Sequence, residues 1–263
     1  MKTVKLHDGN SIPQLGLGTW QLTGKDCEAA VLHALKSGYR HIDTAHIYGN
    51  EREIGSAIRK SGIHRDELFI TTKIWNTQHD DPQDALEISL KKLDLDKVDL
   101  FLIHWPVPER NETWKTMQRL KKDGLCSSIG VSNFTIGHLK QLKGEKPVVD
   151  QVEFNPFLYQ KDLLGHCKKA GITVEAYCPL SRGSALGDAK LCGIANKYSR
   201  SPAQTMLRWG VQHGVIVIPK SKTPARIEEN MRVFDFKING ADMKTLDGLD
   251  RNLRTCWDPT GIP

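Results

Sequence analysis

Four side chains, Asp43, Tyr48, Lys73 and His104, stand where acid–base chemistry could use them, each ending or closely following a short apolar run. Lys73 ends "LFITTK" (68–73), and an ammonium drawn into the end of a buried strand is costly unless a carboxylate pairs with it. Asp43, ending "HID" (41–43), is the candidate partner, and "DTAHIYGNE" places Tyr48 on a loop that can fold back over the same mouth. A phenol beside a cation is expected to titrate below its ordinary ~10, which would make Tyr48 a better proton donor near neutrality. His104 closes "DLFLIH", and its imidazole can offer a second donor to a carbonyl oxygen. A core imidazole bonded to a backbone carbonyl would explain one isolated histidine equally well, so the ends of the other strands decide.

The elements that must position these groups follow a rhythm. Short apolar runs at 14–18, 41–43, 68–73, 98–104, 127–133, 148–151, 173–177 and 215–220 alternate with stretches whose apolar residues recur at helical spacing. The helical stretches are 27–38, 50–62, 81–93, 112–124, 135–144, 161–171 and one from Ala189 through 214. Gly38, Gly62, Gly124, Gly144, Gly171 and Gly214 stand as stop signals. Before the first run, "VKLHDGNSIPQLG" reads as a hairpin with a two-residue turn at Asp8-Gly9. The expectation is an α/β fold of one domain over 1–263, a (β/α)8 TIM barrel with a short N-terminal β-hairpin. Strand count alone leaves an open doubly wound sheet as the alternative. In a barrel, function gathers where strands end, and the eight runs end at or near Trp20, Asp43, Lys73, His104, Asn133, Gln151, Tyr177 and Lys220. Every one is polar or aromatic.

Composition narrows the classes. The net charge of +6 is spread along the chain and suits an anionic small ligand better than nucleic acid. No run approaches the ~18 apolar residues of a membrane helix, and "MKTVKLHDGN" has no apolar stretch behind its lysines, so a cytoplasmic protein is expected. The six cysteines are scattered, without a C-x-x-C pair or zinc spacing, as expected of reduced thiols. "HIDTAH" lacks the second histidine and the spaced ligands of a barrel metallohydrolase, and no metal is assigned. Trp114, Trp209 and Trp257 are read as packing residues, and His33, His138 and His166 as surface or packing residues.

The sequence resembles the aldo-keto reductases over nearly its whole length. The resemblance is carried by "LGLGTW" (15–20), "GYRHIDTAHIYGNE" (38–51), "TTKIW" (71–75), "DLFLIHWP" (99–106), "IGVSNF" (129–134), "QVEFNP" (151–156), "AYCPL" (176–180), "VIPKS" (217–221) and "RIEEN" (226–230). It is most similar to the short bacterial branch that reduces 2,5-diketo-D-gluconate and methylglyoxal. The resemblance implies an NADPH-dependent reduction of small carbonyls by a monomer, with Tyr48 as proton donor, His104 orienting the carbonyl, and Lys73 paired with Asp43. Trp20, Ile47, Trp75 and Trp105 would wall the substrate pocket with Tyr48 and His104.

For the cofactor, the resemblance implies that Ser132, Asn133 and Gln151 hold the nicotinamide carboxamide and that Tyr177 stacks on the ring. Lys220, Ser221 and Arg226 offer two cations and a hydroxyl to an adenosine 2′-phosphate, with Glu229 and Asn230 reaching the adenine. Gly18, Thr19, Trp20 and Asp43, and after the seventh run Cys178, Pro179 and Leu180, are further cofactor contacts on the same resemblance. "GLGTW" opens like a dinucleotide fingerprint, but Gln21 stands where its last glycine would be, and no Rossmann domain is assigned. Two departures stand out. Cys178 replaces the more usual serine, weakening one hydroxyl contact to the pyrophosphate, and the C-terminus is short, implying an open pocket for small or polar carbonyls. A Schiff-base aldolase using Lys73, and a nucleotide-sensing module, remain the functional alternatives.

Overall fold

The computed structural model describes residues 2–263. The chain opens with a hairpin of β1 (Thr3–Lys5) and β2 (Ser11–Pro13). Its turn differs from the expected two-residue form: Leu6 pairs with Asn10, Gly9 N donates to Leu6 O, and the loop holds three residues with Gly9 at φ +94°. A type I turn followed by a left-handed glycine is the three-residue solution, and Gly9 supplies the conformation other residues resist.

Eight parallel strands follow: β3 (Leu17–Gly18), β4 (His41–Asp43), β5 (Phe69–Ile74), β6 (Val98–Ile103), β7 (Cys126–Ser132), β8 (Val149–Glu153), β9 (Thr173–Tyr177) and β10 (Ile216–Val217). Each pairs in parallel with its sequence neighbour, the strands joined by helix-containing crossovers. The connecting helices are α1 (Gly24–Lys36), α2 (Glu51–Ser61), α3 (Pro82–Leu93), α4 (Arg110–Lys122), α5 (Ile136–Gln141) and α6 (Lys161–Ala170). The expected continuous helical stretch 189–214 is instead α7 (Ala189–Lys197) and α8 (Pro202–Gln212). It breaks where Ser199 takes φ +52° and Ser201 caps a helix with Pro202 in its first turn. Two further helices, α9 (Pro224–Met231) and α10 (Gly240–Asp247), lie outside the expected pattern.

The sheet curls until its two end strands meet, an arrangement consistent with a (β/α)8 barrel. Leu15 bridges to Val217 and Gly18 to Lys220, both parallel, while Gly16 N donates to Val217 O and Gly18 N to Pro219 O. Both end strands are shorter than the apolar runs that announce them. Pro219 has no N–H to extend the ladder, and only its carbonyl contributes. The seam is tight: a Cβ on Gly18 would stand 2.7 Å from Ile218 O, and one on Gly16 2.5 Å from His41 Nδ1. Gly18 lets two backbones approach and Gly16 leaves room for the His41 ring, packing reasons for a pattern that resembles a phosphate loop.

Strand parity sorts the side chains. On β5 and β6, Ile70, Ile74, Phe101 and Ile103 face the helices, whereas Phe69, Leu100 and Leu102 join Val149, Ile216 and Ile218 inside the ring, plugged from below by Leu6 and Ile12 of the hairpin. The inward parity that begins with Phe69 arrives at Lys73, and the one that runs through Leu100 and Leu102 arrives at His104. Among the described residues no helix is long and apolar enough to cross a membrane.

Candidate active site

At the carboxyl ends of the strands the inward positions turn polar. Lys73, wholly buried, donates from Nζ to Asp43 Oδ1 at 2.7 Å and to Thr44 O at 2.8 Å, and lies 3.4 Å from the Tyr48 hydroxyl. Tyr48 sits in a 3-10 turn (His46–Tyr48) closed by Gly49 at φ +69°. Asn50, wholly buried, fixes that loop. It accepts from Thr44 Oγ1 at 2.7 Å and donates to the carbonyls of Thr19 and Leu22, both at 2.9 Å. Its role is invisible in the sequence, where Asn50 reads only as the first residue of the helical stretch 50–62.

Burial raises the Asp43 carboxyl above its usual range, against the opposing pull of the Lys73 charge and of hydrogen bonds from Lys73 and Gln151. The phenol departs from expectation. Burial lifts Tyr48 well above its ordinary value, and the Asp43 carboxylate adds to the rise. The ring is half-buried between Trp20, at 4.8 Å between centroids, and His104, at 5.7 Å. Lost hydration penalises the phenolate more than the neighbouring ammonium favours it. Tyr48 therefore keeps its proton throughout the neutral range.

His104 is held below its ordinary pKa by burial first and the Lys73 charge second, so the ring is neutral. Its Nδ1 is buried without a hydrogen-bond partner among the described residues. A proton placed there would be an unsatisfied buried donor, so the cheaper tautomer carries it on Nε2. The His104 backbone is fastened from both sides: its N–H donates to Ile74 O at 3.2 Å, and its carbonyl accepts from Asn133 Nδ2 at 2.9 Å. Trp75 meets the ring edge-on at 5.0 Å. Trp105 is buried and Ile47 is exposed at the rim.

A second polar layer lies alongside. Gln151 Nε2 donates to Asp43 Oδ2 and to Glu175 Oε2, each at 2.7 Å, which commits both amide hydrogens and leaves Oε1 without a bond among the described residues. Asn133, in the left-handed conformation at φ +64° that asparagine tolerates, accepts from the Tyr177 hydroxyl at 2.7 Å. Ser132 Oγ donates to Gln151 O. Glu175, directly below, is wholly buried and pushed up to about 8 by burial and then by the Asp43 charge. It holds a proton at neutrality. It lies mid-run in "TVEAY", and nothing in that run sets it apart from a surface-facing residue of an alternating strand.

The remaining expected contacts are spread around the same face. Thr19 spends both its N–H and its Oγ1 on Asp43 O, at 3.1 and 2.8 Å, which joins β3 to β4. Lys220 and Arg226 are exposed and form no ion pair among the described residues. They flank the start of α9, where Ser221 Oγ accepts from Thr223 N at 3.1 Å. Glu229 is half-buried and Asn230 buried on the same helix. After β9 come Cys178 at φ +44°, buried Pro179 and half-buried Leu180.

The short C-terminal tail nevertheless reaches the mouth. Glu153, ending β8, accepts from Thr255 N at 2.8 Å and from Cys256 N at 3.1 Å, and Trp257 lies edge-on to Trp105 at 6.2 Å. Trp257, expected to be a packing residue, is instead 65% exposed beside Trp105.

A neutral imidazole and a protonated phenol thus lie beside a buried ion pair at the carboxyl face of a parallel curled sheet. The aldo/keto reductase family model matches residues 14–251, and the chain belongs to that family. It is 46% identical over 264 residues to the glyoxal reductase of Bacillus subtilis (strain 168), covering 98% of this chain and 96% of the relative. It is 45% identical to methylglyoxal reductase DkgA of Escherichia coli (strain K12), covering 97% and 96%. Among solved structures, an aldo/keto reductase from Brucella melitensis superposes with a TM-score of 0.92 at 49% identity, covering 95% of this chain and 99% of that one.

Proposed function

We propose that the protein is an NADPH-dependent reductase of small aldehydes and ketones, 2-oxoaldehydes or keto-sugar acids among them, built on a (β/α)8 barrel. The observation that carries this reading is the meeting of a protonated Tyr48 hydroxyl, the Lys73 ammonium 3.4 Å away and a neutral His104 ring in one mouth. Glyoxal and methylglyoxal reductases at 45–46% identity support small dicarbonyls as the substrate class.

The residues present fit the cofactor. Gln151 Oε1 is an unspent acceptor for a carboxamide N–H, with Ser132 and Asn133 beside it. The half-buried Tyr177 ring offers a stacking face. Lys220 and Arg226 are cations with no internal partner among the described residues, suited to a 2′-phosphate, with the Ser221 hydroxyl between them and Glu229 and Asn230 on the adenine side. Bound NADPH supplies the hydride.

The chain's own groups do the rest. Tyr48 and His104 Nε2–H donate to the carbonyl oxygen and hold it against the Trp20, Trp75 and Trp105 walls. As charge grows on that oxygen its basicity overtakes that of a phenolate, and the Tyr48 proton transfers to it. The phenolate left behind is stabilised by Lys73, whose ammonium Asp43 and the Thr44 carbonyl keep in place. The raised phenol pKa thus secures the proton beforehand, and Lys73 acts on the product of its transfer.

The test is the loss of NADPH absorbance with purified protein and methylglyoxal, 2,5-diketo-gluconate, a benzaldehyde or glyceraldehyde, with NADH in parallel. Consumption with NADPH and one of these supports the reading. Cofactor binding by fluorescence quenching without consumption of any of them overturns it in favour of a nucleotide-sensing module.

A further inference from the structure

Cys178 and Cys256, 78 residues apart in sequence, bring their sulfurs to 3.3 Å beside the mouth. Cys178 follows β9 immediately after Tyr177, and Cys256 lies in the tail between the Glu153 anchor and Trp257. Both are half-buried, with Arg182 beside them. The pair has no part in the proton relay, and the other thiols are differently placed. Cys27, Cys126 and Cys167 are sealed in the core, and Cys192 directs its sulfur to Leu186 O.

We infer that Cys178 and Cys256 form a reversible disulfide under a hydroperoxide, tying the C-terminal tail to the loop after β9 and fixing Trp257 over the pocket wall. Closing the contact to a bond of ~2.05 Å asks for little more than an ångström of movement. The tail can yield it, because side-chain bonds to Glu153 hold it there instead of a strand ladder.

The order of events follows from the thiols. The hydrogen bond shared with Cys178, in which either sulfur can donate, and the Arg182 charge hold Cys256 below the ordinary thiol value, whereas Cys178 is raised. Cys256 is therefore the attacking thiolate. Its sulfur attacks one peroxide oxygen, the O–O bond breaks, and the departing oxygen leaves as water or an alcohol after taking a proton. The resulting Cys256 sulfenic acid is attacked by the Cys178 sulfur, which loses its proton as the S–O bond breaks and water departs. The two sulfurs give up two electrons, and the peroxide takes them. The buried thiols do not compete: burial lifts Cys27 and Cys126 to about 12.

The experiment treats the intact protein with hydrogen peroxide and follows mass, free thiols and tryptic peptides. A mass lower by two hydrogens is expected, with peptides 170–182 and 255–263 joined and dithiothreitol restoring both. Cys256→Ser should lose this response, and Cys192→Ser should keep it. Oxygen addition to Cys256 without the bridge, a bridge to another cysteine, or linkage between molecules overturns the inference. Where the carbonyl reductase reading holds, turnover falls severalfold with bridge formation and recovers on reduction. The thiol readout stands apart from that reading and decides the bridge if no carbonyl is turned over.

Discussion

Lys73 Nζ stands 2.7 Å from Asp43 Oδ1 with both side chains closed to water, and the rest of the mouth is arranged around that pair. Removing one member leaves a buried charge uncompensated, a loss of ~3–5 kcal/mol for such pairs. Lys73→Met should therefore lower the denaturation midpoint strongly and abolish reduction. Adding Asp43→Asn to it should recover much of the stability without any activity. Urea titrations of the single and double variants check this, and equal destabilisation in both would show that the buried charge is not the cause.

Tyr48→Phe removes only the donor oxygen from a half-buried ring, so the fold and cofactor binding should persist. A positioned proton donor contributes ~10²–10⁴-fold, and turnover should fall by about that much. His104→Gln keeps a donor but alters its reach, and should retain more activity than His104→Ala. Single-turnover kinetics with a small dicarbonyl measure both, and a Tyr48→Phe enzyme at full rate would refute the role assigned to the phenol.

Gly18 faces the Ile218 carbonyl across the seam where the sheet closes, and a Cβ there would be at 2.7 Å. Backbone is the obstacle, so no side chain can rotate away. Gly18→Ala should cost ~1–3 kcal/mol, the range for overpacking. Gly49→Ala, where an added Cβ meets nothing within 4 Å among the described residues, should show only the smaller strain of its φ of +69°. Thermal unfolding of the two distinguishes steric closure from backbone conformation.

Much of this is legible in the sequence because period-two alternation is a hard constraint. Once "DLFLIH" is a strand, Leu100, Leu102 and His104 must share a face, and the same parity delivers Asp43 and Lys73 to the mouth. Local patterning also marks where strands stop. What it does not show depends on distant chain returning. Asn50, Glu175 and the Glu153 clamp on Thr255 and Cys256 act through partners dozens of residues away or buried in the ring. The state of Tyr48 escapes the sequence for a related reason: the nearby cation can be inferred from spacing, but the desolvation that outweighs it needs the rings of Trp20 and His104 in place.

Lys220 and Arg226 are exposed and without internal partners among the described residues, so replacing them should leave stability nearly unchanged. A hydrogen bond to a charged group is worth ~1.5–3 kcal/mol, about tenfold or more in affinity. Lys220→Met and Arg226→Met should each raise the KM for NADPH by about that factor and leave the KM for NADH unmoved. Equal losses for both nucleotides would dissociate these cations from the 2′-phosphate.

Glu175 gives the fold a pH dependence of definite sign. Its carboxyl is pushed up to about 8 in the folded protein, against ~4.3 in an unfolded chain. Between those values the native state binds the extra proton, so unfolding releases it and stability falls as pH rises, with the residue's contribution flat above about 8. Glu175→Gln keeps a neutral group of the same shape at every pH and removes this slope. The variant should therefore gain on the wild type as pH increases from about 5 to about 8, by up to a few kcal/mol, since each tenfold change in proton affinity is worth about 1.4 kcal/mol. Urea unfolding across that interval measures the difference directly. Parallel profiles for the two proteins would mean that Glu175 is ionised in the folded state across that interval.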